Sequence, residues 1–201
     1  DASFLAHIAV AKFCDHIPLY RQAEIYARDG LDLDRSFLAE QLGHVAWLLH
    51  PLGELVAGHV TNGGVIPADD TPVPVLAPGA GKTKTGRQWV YLRDERPHGG
   101  SAPPAVLYRY TPDRKGEHCR EELAGFTGWL HADGYSGFAK LYDIATGRTA
   151  DAALLQGPPR IAEVACWAHA RRYFFDEWKS SGSPIAKEAL DRIGALFDIE
   201  R

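Results

Sequence analysis

The chain has 201 residues, 45% of them hydrophobic and 24% charged, with 20 Gly, 13 Pro and a formal net charge of −4. That composition excludes collagen-like, mucin-like and wholly disordered chains, because ample apolar surface is available to bury. The length fits one generous domain or a core with a smaller appendage.

The most apolar stretch, residues 45–60, is broken by His50, Pro51, Glu54 and His59. It falls short of the run of about 20 apolar residues that spans a bilayer. No basic segment followed by an apolar core opens the chain, so no secretory leader, no membrane partner and a cytoplasmic location are expected. The three cysteines, Cys14, Cys119 and Cys166, form neither an even framework nor a Cys-x-x-Cys pair, and they read as reduced thiols. The chain lacks Met altogether and stops inside an amphipathic pattern, residues 186–201, so a fragment of a longer protein is expected. The acidic balance argues against a whole-molecule grip on nucleic acid. Residues 79–93 nevertheless carry Lys82, Lys84, Arg87 and Arg93 with no acid among them.

Residues 1–60 are expected to be helical. Phe4, Leu5, Ile8, Ala11 and Lys12 keep helical spacing, and Pro18 opens a second helix that runs to about Arg28 and stops at Gly30. Asp32 or Asp34 caps a third, carrying Phe37, Leu38, Leu42, Val45 and Leu49, which Pro51 and Gly53 kink or end. As a helix-turn-helix, this third helix is too apolar for a groove reader, so packing or self-association is the preferred reading.

From Gly63 the texture becomes β-like, with short runs at 65–66, 73–76, 89–92, 106–110 and 129–132 separated by Gly/Pro clusters. Helices are predicted at 117–126 and 137–142, then a strand at 161–166 and a helix at 168–178. Residues 147–159 read as a loop. Three strands in meander followed by alternating helix and strand predict an α/β mixed sheet with flanking helices.

Acids stand out at the ends of apolar β-runs: Asp69 and Asp70, and Asp133. Unpaired carboxylates are expensive to bury there, and a magnesium ion is the hard cation that neutralises them and binds phosphate oxygens. Two such ions serve phosphoryl transfer by activating the attacking oxygen and stabilising the leaving one. Neighbours on a strand point to opposite faces, so only one of Asp69 and Asp70 can serve, and alternation does not choose between them.

Six motifs then fall in order: 68–76 (Ala-Asp-Asp-Thr-Pro-Val-Pro-Val-Leu), 81–87 (Gly-Lys-Thr-Lys-Thr-Gly-Arg), 89–94 (Trp-Val-Tyr-Leu-Arg-Asp), 113–118 (Asp-Arg-Lys-Gly-Glu-His), 132–138 (Ala-Asp-Gly-Tyr-Ser-Gly-Phe) and 166–172 (Cys-Trp-Ala-His-Ala-Arg-Arg). Together they resemble transposases of the insertion-sequence-66 family, over essentially the whole chain. The helical opening, with Asp-His-Ile-Pro-Leu-Tyr-Arg-Gln at 15–22, is similar to the region before that family's catalytic core. The resemblance implies an RNase H-like core over 61–201 behind a helical region at 1–60. It also implies a bacterial mobile-element enzyme whose Asp-Asp-Glu triad holds two divalent ions, Mg2+ or Mn2+. By this analogy Asp69 matches the first catalytic Asp and Asp133 the second, both as metal ligands, with Asp70 at the family's Glu position. Double-stranded DNA, as element ends and target, and further copies of the protein are the implied partners.

Two departures follow. The family's third acid, a Glu near an Asp-Asn-Asn motif, has no counterpart, since Asn62 is the only Asn; the core is expected to be truncated before it and inactive alone. Pro67, Pro72 and Pro74 also sit badly in a central strand, which must be short and bulged near Asp69 or unpaired on one side. Lys82, Lys84 and Arg87, with Arg171 and Arg172 after the last strand, are candidate DNA contacts. The 79–83 segment lacks P-loop spacing, and Cys166 with His169, without a second pair, does not read as a zinc site. The alternatives are a non-catalytic DNA-binding or self-association relic and a nuclease that never joins strands.

Overall fold

The computed structural model describes residues 1–146 and 161–199, so the 147–159 loop reading lies outside the described residues. Two compact units divide within one helix, as Asp1–Leu55 and Val56–Arg201.

In the first unit, α1 (Ala2–Phe13) starts at Asp1, whose Oδ1 accepts the Ser3 amide at 3.1 Å. Helix α2 (Leu19–Arg28) follows Pro18, which stands one position earlier than expected, as the extended cap residue. Gly30, at φ +83, ends that turn in the left-handed region. Helix α3 (Arg35–Thr61) begins at Asp34, whose Oδ1 accepts the Phe37 amide at 2.8 Å and the Ser36 hydroxyl at 2.6 Å. Ile8, Tyr26 and Leu38 form the core here, with Phe4 and Leu42 packed against them.

Pro51 does not end α3, so of the two outcomes expected from sequence, a kink or an end, the second does not occur: the helix continues for ten residues to Thr61. A proline there forfeits one backbone hydrogen bond. Burial of Ala57 and Val60 in the second unit's core outweighs that loss.

The second unit is built on a five-stranded sheet of order β3-β2-β1-β4-β5. Strands β1 (Val65–Val75), β2 (Lys84–Arg93) and β3 (Ala105–Thr111) form the antiparallel meander. Strands β4 (Gly128–Ala132) and β5 (Ile161–Ala165) join parallel to β1 and to each other. Helices α4 (Gly116–Glu122) and α5 (Ala139–Thr146) connect β3 to β4 and follow β4. Helices α6 (Trp167–Ser181) and α7 (Pro184–Ile199) follow β5 and pack on each other. The protein is thus α/β, a mixed RNase H-like sheet with flanking helices behind a helical N-terminal region.

The runs expected at 65–66 and 73–76 are one strand. Its two edges have different partners: β4 pairs only with Val65–Pro67, while β2 pairs with Ala68–Val75. Among the described residues, one edge of β1 beyond Pro67 therefore has no strand beside it, and a proline nitrogen directed there costs no ladder hydrogen bond. Pro72 and Pro74 thus have an open side, whereas Pro67 lies within the β4 pairing, opposite His131.

Cross-strand partners share a face, so Ala68, Tyr91 and Leu107 point one way while Asp69, Val90 and Tyr108 point the other. The first set belongs to the core with Trp89, Phe126, Leu130 and Phe138. Each large side chain buried there contributes about 2 to 3 kcal/mol.

Candidate metal and catalytic centre

Asp69 lies two residues past the end of the β1–β4 pairing, on the sheet face opposite the core. Asp133 directly follows β4, and His169 sits in the first turn of α6, directly after β5. The Cys166 amide donates to the Ala132 carbonyl at 3.1 Å, which ties the start of α6 to the end of β4. Three segments thus deliver a side chain each to one place, at the carboxyl ends of parallel strands where α/β sheets open a crevice. A ligand atom from each of Asp69, Asp133 and His169 lies within 4.8 Å of the others. Beside them a cavity of about 220 Å³ is lined by Asp69 and His169 with Val90, Leu92 and Ala132.

Local backbone chemistry sets both carboxylates. Asp133 Oδ1 accepts the Tyr135 amide at 3.0 Å, closing a turn through Gly134 at φ +80. Glycine takes that conformation without the Cβ clash other residues meet. Asp69 Oδ1 accepts the Asp70 amide at 2.8 Å.

Asp70 has the opposite fate, as strand alternation requires. Its side chain is 3% exposed and meets Arg87 Nη1 at 3.0 Å and Arg114 Nη2 at 2.7 Å. Arg114 also stacks over the Tyr135 ring at 4.0 Å, and its Nη2 lies 3.5 Å from Asp133 Oδ2. The Tyr135 hydroxyl donates to the Arg114 carbonyl. Burial opposes the Arg114 charge, but its hydrogen bonds to Asp70 and the fields of Asp70 and Asp133 more than offset this, raising its pKa.

The donor set suits a divalent cation. Ligands around an ion at about 2.1 Å lie about 3 to 4.2 Å apart, so closing onto one asks for small side-chain movements only. His169 contributes a ring nitrogen to this group, and its Nδ1 is buried with no hydrogen-bond partner among the described residues.

Among the residues singled out from sequence, Asp69 and Asp133 come together. Arg87 is engaged by Asp70 rather than extended on the hairpin. Lys82 in the β1–β2 turn and Lys84 at the start of β2 are exposed, as are Arg171 and Arg172 on α6. Sequence reasoning weighed His169 only as half of a zinc pair with Cys166 and passed over Arg114. The Cys166-x-x-His169 spacing after the last strand was a signal for the first. Arg114 had none beyond its place in a shared motif.

Among the described residues no helix is long and apolar enough to cross a membrane. Three proteins of Sinorhizobium fredii (strain NBRC 101917 / NGR234) are similar to the chain. The uncharacterized protein y4qI is 40% identical over 197 residues, covering 98% of this chain and 35% of that protein. The uncharacterized protein y4hP is 40% identical over 211 residues, covering 99% and 36%. The uncharacterized protein y4jD is 39% identical over 196 residues, covering 98% and 37%. The chain therefore spans about a third of the length of the curated relatives it matches. The model of the family described as "Transposase IS66 family" matches residues 1–201, and the chain belongs to that family.

Proposed function

We propose that the chain forms the N-terminal helices (1–60) and most of the catalytic core (61–201) of a DNA transposase that cuts and joins strands by metal-dependent phosphoryl transfer. Asp69 and Asp133 are the metal ligands in this reading, for Mg2+ or Mn2+. The observation that carries it is their convergence, from residues 64 positions apart in sequence, within 4.8 Å on the open face of the sheet.

A bound divalent ion supplies positive charge that activates the attacking water or 3′-hydroxyl and offsets charge on the phosphate. The protein's own part is positioning. Asp69 and Asp133 are oriented by the amides of Asp70 and Tyr135. Arg114, held by Asp70, keeps a cation next to Asp133 where a phosphate oxygen arrives. Lys82, Lys84, Arg171 and Arg172 are proposed to grip DNA phosphates, and Arg87 to act through Asp70 instead. The third acid belongs to the rest of the full-length protein, a cytoplasmic enzyme active as a homo-oligomer on double-stranded DNA.

The test is strand cleavage and joining by the full-length protein on DNA carrying its own element ends. Asp69→Asn and Asp133→Asn are each expected to lower both steps by at least about a thousandfold while DNA binding persists. Full activity in either variant overturns the reading. Cleavage without joining in the unmodified protein points to a nuclease, and DNA binding without cleavage points to a relic.

A further inference from the structure

We propose that His169 is a nitrogen ligand of the divalent ion, so that this chain contributes an Asp69–Asp133–His169 set and favours Mn2+ over Mg2+. The inference rests on the metal reading above and adds to it a ligand and a cation preference.

Three observations carry it. His169 offers a ring nitrogen within 4.8 Å of carboxylate oxygens from both Asp69 and Asp133. Its Nδ1 is buried and has no hydrogen-bond partner among the described residues. A half-buried imidazole kept for packing alone ordinarily satisfies a nitrogen that it buries, because leaving that atom unpaired costs about 1 to 3 kcal/mol. Finally, the ring is held at the site by the start of α6, which the Cys166 amide anchors to the Ala132 carbonyl at 3.1 Å, one residue before Asp133.

The donor chemistry then selects the ion. Magnesium keeps to oxygen ligands and near-ideal octahedral geometry, whereas first-row transition ions accept imidazole readily. A set of two carboxylates and one imidazole therefore ranks Mn2+ above Mg2+, the comparison that matters between these two ions.

The experiment is Mn2+ titration of the chain followed by pulsed electron paramagnetic resonance on the bound ion. The expected result is one Mn2+ whose spectrum carries 14N modulation from an imidazole. His169→Ala should abolish that modulation and weaken Mn2+ binding about 10- to 100-fold, and Mg2+ should compete poorly in the unmodified protein. Asp69→Asn should weaken binding and leave the nitrogen signal on the ion that remains.

Mn2+ that binds through Asp69 and Asp133 without 14N modulation overturns the histidine assignment and leaves the carboxylate centre standing. Failure to bind Mn2+ at all overturns the inference together with the metal centre in this chain. The nitrogen signal is read in the unmodified protein, so the outcome does not depend on whether His169→Ala folds.

Discussion

Arg114 reaches Asp70 at 2.7 Å and, with the same terminal nitrogen, comes within 3.5 Å of Asp133. The first carboxylate is buried at 3% exposure and the second, grouped with Asp69 and His169, is 24% exposed. Asp70 therefore serves as an anchor: it fixes a guanidinium beside the acid that faces the site. Its second partner, Arg87, is 24% exposed and holds it from the neighbouring strand.

That network predicts non-additive losses. Arg87→Met and Arg114→Met should each destabilise the protein by about 1 to 2 kcal/mol, because Asp70 keeps one partner. The double variant leaves a buried carboxylate unpaired and should cost about 3 to 5 kcal/mol. Urea unfolding of the two singles, the double and the double with Asp70→Leu measures this. Recovery of stability in the last would show that the unpaired charge causes the loss.

Gly134 supplies the positive φ on which the Asp133 turn depends. Gly134→Ala should cost about 1 to 2 kcal/mol from backbone strain. It should also lower Mn2+ affinity about tenfold, by displacing Asp133 while leaving every ligand in place. Calorimetric titration beside thermal unfolding separates the two effects.

The N-terminus of α3 carries a pH dependence of definite sign. Hydrogen bonds from the Ser36 hydroxyl and the Phe37 amide hold the Asp34 carboxyl below the usual carboxylate range. With the folded pKa depressed, the cap's contribution is fully present above the unfolded value of about 3.9 and is lost as pH falls through the lower folded value. Amide exchange at Phe37 should accelerate, relative to intrinsic rates, on that descent. Asp34→Asn, which still caps, should remove the dependence.

Thiol reactivity should follow burial. Cys14 is exposed, Cys166 intermediate and Cys119 fully buried, and burial pushes the Cys119 thiol up to about 11. At pH 8, iodoacetamide should label Cys14 first and Cys166 more slowly, and reach Cys119 only in urea, as read by mass spectrometry of peptides. Labelling of Cys119 in the folded protein at a rate near that of Cys14 would contradict this packing.

Much of the fold was legible because it is encoded locally. Cap residues and spacing located α1, α2 and the start of α3, and Gly/Pro punctuation located β2, β3 and β4. Two elements were left open for one reason. Pro51 was expected to kink or end α3, and the prolines of β1 to shorten the strand or leave one side unpaired, because proline's cost is local and certain whereas what offsets it is tertiary. For α3 that is the burial of Ala57 and Val60, and for β1 it is an edge with no strand beside it among the described residues.

By itself the sequence determined the helical opening, the α/β texture, and the opposition of Asp69 and Asp70, since a strand's period of two depends on the backbone alone. Its ordered motifs also determined the family. Only the tertiary structure decided which neighbour faces the core, that Arg87 and Arg114 both close on Asp70, and that His169 joins Asp69 and Asp133. These contacts link residues 17, 44 and 100 positions apart, from subtraction of their numbers. Their energies depend on strand order and burial, which no local pattern of residues encodes.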